Sequence, residues 1–288
     1  MKHVQNATQT AALLVHCEDQ SGIMSAVAQF FADHKLNLIR QEGFIDAGRM
    51  YCRLEWELDE RWEDAAALEA EFATSAAPYD AQFSARFFDR EQTIGIMVST
   101  KTHALTAVLN RTEDDYFPAV DVSFILGDDA DLQHTADRHG TPFFHVSTDG
   151  DRLQAEQQQL EIIQRYKPDY LALARYDKVL SANMLGQLDC PVINIHHTFM
   201  PAFMGGAPYS QAYERGVKLL GATSAYVTAE LDQGPIIEQD VARVPSGTSV
   251  AQMITQGERV ERRVFTRALQ KVLQHKTIVH DNRTIIFN

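Results

Sequence analysis

Asn194 and His196 are the residues best suited to chemistry. They stand two apart in Asn194-Ile195-His196-His197-Thr198-Phe199-Met200-Pro201, at the end of the apolar run PVINI (191–195). On an extended chain such residues point to one side. An asparagine amide can donate to a developing oxyanion, and a histidine can exchange a proton near neutral pH. A second stretch, Glu230-Leu231-Asp232-Gln233-Gly234-Pro235, supplies carboxylates. A carboxylate near His196 would favour the imidazolium, raise its pKa and orient a water. Together these groups suit attack on a carbonyl with no covalent enzyme intermediate. Each also has an ordinary use: Asn194 as a turn cap, His196 as a satisfied core histidine, Asp-Gln-Gly-Pro as plain turn chemistry.

Other chemistries lack their residues. There is no GxSxG elbow, and none of Cys17, Cys52 and Cys190 stands in a nucleophile motif. There is no Walker loop and no GxGxxG. His196, His197 and Asp232 could hold a metal on paper, but HExxH-type spacing is missing, so no metal is expected.

The elements that must position these groups follow from periodicity. Residues 11–17 are strand, Asp19-Gln20-Ser21-Gly22 a turn, and Ile23, Val27, Phe30 and Phe31 fall at helical spacing. Residues 36–46 and 49–58 form a hairpin around Asp46-Ala47-Gly48; 61–73 is helical and 80–88 a strand. That order, βαββαβ, predicts a ferredoxin-like domain over 1–88. After the polar link Asp89-Arg90-Glu91, strands (94–100, 119–126, 142–146, 169–175, 191–195) alternate with helices (103–110, 131–139, 153–166, 181–188). Alternation predicts a second domain over 93–288 with a mostly parallel, Rossmann-like sheet. In such α/β sheets ligands sit beyond the carboxyl ends of the strands, where Asn194 and His196 stand. The Gly/Pro-rich stretch from Phe203 to Tyr209 reads as a functional loop. Residues 221–228 and 235–244 form a strand pair, 249–274 one long helix, and 277–287 a terminal hairpin.

Composition narrows the partners. The 288 residues carry 26 Lys and Arg against 39 Asp and Glu, a formal net charge of −13. That excludes a general phosphate-backbone binder and charge-driven attachment to an anionic membrane, so no nucleic acid and no membrane is expected. No run of about 18 apolar residues occurs, and AALLVHC is too short for a signal-peptide core. Three scattered cysteines without CxxC fit a reduced, cytoplasmic protein.

NIHHTFMPAF, PYSQAYERGVKLLGAT, LDQGPIIEQDV and NRTIIF together resemble the formyltetrahydrofolate deformylase family, with few gaps from about residue 93 to the end. The Asn-x-His and later Asp signature is shared with the broader formyltransferase fold, including glycinamide ribonucleotide formyltransferase. The N-terminal segment, with Asp19-Gln20-Ser21-Gly22-Ile23, resembles an ACT domain, and an ACT domain before a formyltransferase-like domain is the deformylase arrangement.

The resemblance implies a hydrolase that releases formate from 10-formyltetrahydrofolate in one-carbon and purine metabolism, with folate as substrate and no cofactor. It places Asn194, His196 and Asp232 on the catalytic triplet. Asn194 would hold the formyl oxygen, His196 as imidazolium would stabilise it or protonate the leaving nitrogen, and Asp232 would keep His196 protonated and position water. Arg175, Tyr176, Asp177, Val179, Leu180, Gly205 and Tyr209 fall on substrate-binding positions. Asp19, Gly22 and Ile23 fall where a small amino-acid effector, glycine or methionine, would bind, and paired ACT sheets imply a homo-oligomer, dimer or tetramer. The ACT segment could instead serve dimerisation alone, without a ligand.

Three positions depart from the family pattern. Ala207 stands in place of a basic residue before Pro-Tyr, Ala225 in place of a His before the aromatic, and Tyr176-Asp177-Lys178 in place of Tyr-Met before a basic residue. They leave formyl removal favoured and keep open a formyltransferase, or a hydrolase of another N-formyl compound. A non-catalytic amino-acid sensor is the competing class. A folate tail carries carboxylates, so a chain of charge −13 needs local cations; Arg175, Lys178, Arg215 and Lys218 are the candidates by sequence.

Overall fold

The computed structural model describes residues 9–58, 61–62, 64–114, 116–199 and 208–288. They divide into two units: Met1–Glu91 with His275–Ile278 and Ile286–Asn288, and Gln92–Gln274 with Val279–Ile285.

The first unit runs β1 (Thr10–Glu18), α1 (Ile23–Asp33), β2 (Leu38–Asp46), β3 (Arg49–Glu57), α2 (Ala65–Ala76) and β4 (Gln82–Phe87). The strands form an antiparallel sheet in the order β2-β3-β1-β4, the ferredoxin-like arrangement. β1 is apolar without alternation because both its faces are covered, and it is buried from Ala11 to Cys17. Ile23, Val27, Phe30 and Phe31 of α1, with Leu68 and Phe72 of α2, pack on one face around Trp56. The C-terminal segments pack with this unit: the Arg53 Nε donates to the His275 carbonyl at 3.0 Å, and the Phe287 ring lies 5.7 Å from Phe44. The sequence pattern groups these segments with the domain expected over 93–288; a β-period alone cannot say which sheet the chain's end will cover. α2 starts later than its Ala- and Glu-rich composition suggests, because Asp64 caps it by accepting from the Ala67 N–H at 2.9 Å.

The second unit begins with β5 (Gln92–Val98), α3 (His103–Glu113), β6 (Val120–Gly127), α4 (Gln133–Arg138), β7 (Phe143–His145) and α5 (Arg152–Tyr166). It continues with β8 (Tyr170–Leu173), α6 (Ala182–Leu185), β9 (Val192–His196), α7 (Pro208–Glu214), β10 (Leu219–Tyr226), β11 (Ile236–Arg243) and α8 (Val250–Leu273). Seven strands order as β11-β10-β9-β8-β5-β6-β7, parallel from β9 to β7 and antiparallel at β9-β10 and β10-β11. The expected mostly parallel sheet is therefore observed. Phe124 of β6 and Phe265 of α8 are fully buried; each such ring contributes on the order of 2–3 kcal/mol through area removed from water. α8 is fixed at its start by a capping box, Ser249 with Gln252, and packs on β10, β11 and α3. β12 (Thr277–His280) and β13 (Arg283–Ile286) pair as a separate hairpin. α7 overlaps only the last two residues of the stretch that reads as a loop, 203–209, since Pro208 can open a helix at a position where its missing N–H costs nothing.

Candidate active site

β9 carries Asn194 and His196 on one side of its end, as the two-residue spacing requires. The Asn194 Nδ2 lies 2.9 Å from the His196 Nε2. β10 holds this strand end in register: Ala225 faces Asn194 and Thr223 faces His196. Two side chains of β10 add anchors, Ser224 Oγ donating to the Asn194 carbonyl at 2.8 Å and Thr223 Oγ1 to the Thr198 carbonyl at 3.0 Å. Ala225 is buried beside Asn194 and lines the cleft there.

Asp232 comes from the turn between β10 and β11. Its Oδ1 stands 3.3 Å from His196 Nε2. Gly234 makes this approach possible: a Cβ there would lie 1.7 Å from the Tyr226 carbonyl oxygen, so any larger residue would push the turn off the strand. Asp232 itself takes a left-handed backbone, φ 57°, as does Arg175, φ 61°. Left-handed non-glycine residues cost free energy, and here two of them border one cleft.

The cleft measures about 270 Å³. It is floored by Asn194, His196 and His197 and walled by 176–180 on one side and 226–232 on the other. Of the expected substrate-binding residues, Arg175, Tyr176, Asp177, Val179 and Leu180 line it. Gly205 and Ala207 lie outside the described residues. Tyr209 points elsewhere, donating its hydroxyl to Glu261 Oε1 at 3.1 Å. Lys178 lines the cleft near Asp128, 3.8 Å away, while Arg215 and Lys218 are not among the described residues that do. The 176–180 wall is stapled from behind. The Gln159 amide donates to the Tyr176 hydroxyl at 2.8 Å, and Arg152 Nη2 donates to the Val179 carbonyl at 2.7 Å. Burial pushes the Tyr176 phenol up to about 12, so it stays protonated.

The protonation of His196 differs from the sequence expectation. Its pKa is lowered: burial disfavours the cation most, Asp232 opposes this, and the Arg175 guanidinium adds to the lowering. The carboxylate is present but outweighed, so the resting imidazole is neutral at neutral pH. His197 is lowered in the same way, by burial first and then by Arg175, whose Nη1 donates to its Nδ1 at 2.5 Å. Nε2 of His196 thus faces a donor and an acceptor at once. Neutral, it accepts from the Asn194 amide; protonated, it donates to Asp232.

Sequence reasoning missed Glu261 and His103. Glu261 is 2% exposed and accepts at Oε2 from His103 Nε2 at 2.8 Å. The available signal was a carboxylate between Val260 and Val264 on the apolar face of the long C-terminal helix. No group of three or more His, Cys, Asp or Glu among the described residues is arranged to hold a metal, and no described helix is long and apolar enough to cross a membrane.

The comparisons agree with this geometry. The Formyl transferase family model matches residues 92–269. A formyltetrahydrofolate deformylase of Bacillus subtilis is 36% identical over 280 residues, covering 96% of this chain and 93% of its own. The chain belongs to the formyltetrahydrofolate deformylase family. A Synechocystis member is 37% identical over 281 residues, covering 96% and 98%. The crystal structure of a Pseudomonas syringae formyltetrahydrofolate deformylase superposes with a TM-score of 0.93 at 33% identity, covering 99% of this chain and 96% of that one. The match to this structure spans both units.

Proposed function

We propose that the chain hydrolyses 10-formyltetrahydrofolate to formate and tetrahydrofolate. The observation that carries this reading is the convergence of Asn194 Nδ2, His196 Nε2 and Asp232 Oδ1 at the end of β9, in one cleft. The formyl group enters with its oxygen toward the Asn194 amide and its carbon over His196. Water held by Asp232 attacks the carbon; the C–O bond forms and the water proton passes to the neutral His196 Nε2. Asn194 donates to the oxygen as it takes negative charge. Asp232 stabilises the imidazolium, which returns the proton to the leaving nitrogen as the C–N bond breaks. Formic acid then loses its proton to solvent. The lowered pKa of His196 supports this order, base first and acid second.

The cleft suits the bicyclic head of a folate, with its carboxylate-bearing tail outside, near Lys178. The residues of 175–180 lining the cleft are assigned to the head, and no cofactor enters the scheme. Formate release from 10-formyltetrahydrofolate tests the reading: no release, or an Asn194→Ala variant equal to wild type, overturns it.

The first unit is assigned to regulation and assembly in a cytoplasmic homo-oligomer. Asp19, Gly22 and Ile23 line a concavity closed by β2 and Met50, at the start of α1, where no side chain caps the helix. An amino-acid carboxylate suits such a helix start. β2 is an edge strand with Ile39, Phe44 and Ile45 exposed, which supports pairing with a second copy. Calorimetry with glycine and methionine and light scattering decide the two points.

A further inference from the structure

Glu261 is a charged residue where α8 should be apolar. Its neighbours on that face, Gly257, Val260, Val264 and Phe265, are buried. An unpaired carboxylate there would cost several kcal/mol, and a hydrophobic side chain of similar size is often as good or better for stability. Retention of the carboxylate therefore needs a reason beyond packing.

Its partners come from three other elements. His103, at the start of α3, meets Oε2 at 2.8 Å. The Tyr209 hydroxyl of α7 reaches Oε1 at 3.1 Å. Arg175, just after β8, brings Nε to 3.5 Å from Oε2, an ion-pair distance longer than a hydrogen bond. The approach of Tyr209 depends on Gly257, where a Cβ would fall 2.0 Å from the hydroxyl oxygen. The helix is notched to let that hydroxyl through. From Arg175 the connection continues to His197, whose Nδ1 accepts from Nη1, and His197 adjoins the His196 of the cleft.

Resting on the activity proposed above, we infer that Glu261 is a positioning residue for deformylation. It pins the Arg175 guanidinium in its left-handed backbone position, and Arg175 in turn fixes the His197 ring and the chain leaving β9. None of this cluster touches the reacting atoms. It acts by holding the residue next to His196 still, and by balancing, together with Asp177, a cation that sits beside two histidines.

The charges around His197 set the direction of the test. Arg175 and Asp177 follow β8, His196 precedes on β9, Glu261 and Glu258 lie on α8, His103 on α3, and Asp232 faces His196 from the β10-β11 turn. Arg262 pairs with Glu258 at 3.6 Å. Arg175 lowers His197 and Glu261 raises it. Burial would push Glu261 itself up, but the His103 hydrogen bond, Arg175 and Tyr209 hold it below the usual carboxylate range, so it is an anion at neutral pH.

The experiment compares Glu261→Gln, Glu261→Asp, Arg175→Gln and the Glu261→Gln/Arg175→Gln double variant in the full chain. Three readouts are taken: kcat and KM for formate release, the His197 imidazole titration by NMR, and the thermal melt. Glu261→Gln is expected to fold, to lose about tenfold to hundredfold in kcat with KM little changed, and to move the His197 titration to lower pH. Glu261→Asp recovers part of both effects. In the Arg175→Gln background the Glu261→Gln substitution adds little, because it acts through Arg175. A wild-type kcat with an unmoved His197 titration overturns the inference. So does a kcat loss that tracks the melt while the titration stays put, or a Glu261→Gln effect undiminished without Arg175. Should Glu261→Gln fail to fold, Arg175→Gln alone must lower kcat and raise the His197 titration. Should the wild type release no formate, the activity reading fails, and the His197 titration alone decides the role of Glu261.

Discussion

Replacing Asp232 by Asn removes the carboxylate whose Oδ1 lies 3.3 Å from His196 Nε2 while keeping the side chain's size. Coulomb's law at that separation gives about 1.3 kcal/mol in bulk water and roughly 5 kcal/mol at an effective dielectric near 20. The Asp232 side chain is 39% exposed, so solvent screening puts the effect at the lower end. A loss of about 1.4 kcal/mol moves an imidazole pKa by about one unit. The sign is downward, because the carboxylate favours the cation. His196 works as a base only when neutral, so the acid limb of the kcat/KM profile marks its pKa, which already lies below 6.5. In Asp232→Asn that limb shifts about one unit further toward acid. The imidazolium formed as His196 takes the water proton loses the same stabilisation, so the plateau rate falls about tenfold, and more if water is also misplaced. A stopped-time formate assay from pH 4.5 to 8.5 on both proteins reads limb and plateau together. An unmoved limb, or one displaced toward neutral pH, refutes Asp232 as the group that opposes burial at His196.

Asn194→Ala removes the amide aimed at the formyl oxygen; kcat is expected to fall on the order of 10²–10³-fold with KM little changed, read from initial rates. Gly234→Ala drives a Cβ into the Tyr226 carbonyl and lifts Asp232 from His196, so activity is expected to fall toward that of Asp232→Asn while the melt changes less; paired rate and melting measurements test this. In the first unit, burial first, with Arg86 and Arg53 adding to it against the Ser84 hydrogen bond, pushes the His275 imidazole down to about 4. The unfolded chain takes up that proton near pH 6.5 and the folded one does not, so stability is full above 6.5 and falls by roughly 3 kcal/mol by pH 4. Urea titrations at pH 7.5 and 4.5 measure the loss, and His275→Gln should flatten it.

The alternation of strand and helix after residue 92 was legible because each element keeps its own period over enough residues. Asn194 and His196 could be paired on spacing alone. Asp232 could not: it lies 36 positions beyond His196, and only a fold brings a hairpin turn onto the neighbouring strand end. The protonation state of His196 was misread for a related reason. The sequence shows the carboxylate that raises it but not the burial or the guanidinium that lower it. Arg175 reads in sequence as a substrate cation, yet its guanidinium is engaged by His197, Asp177 and Glu261. The α8 carboxylate was visible as a break in an apolar stripe, but its partners come from three distant segments.

The left-handed backbones of Arg175 and Asp232 bear on how this enzyme can be engineered. Glycine at position 232 relieves strain of about 1 kcal/mol or more, so selection for heat resistance alone is drawn there, whereas glycine at 175 would also take the guanidinium from the buried Glu261. Survivors altered at 232 would be sturdier and largely inert, having traded away the carboxylate that the strain holds in place. Directed evolution of this chain therefore has to score turnover in every round, and these two codons are the ones to keep fixed.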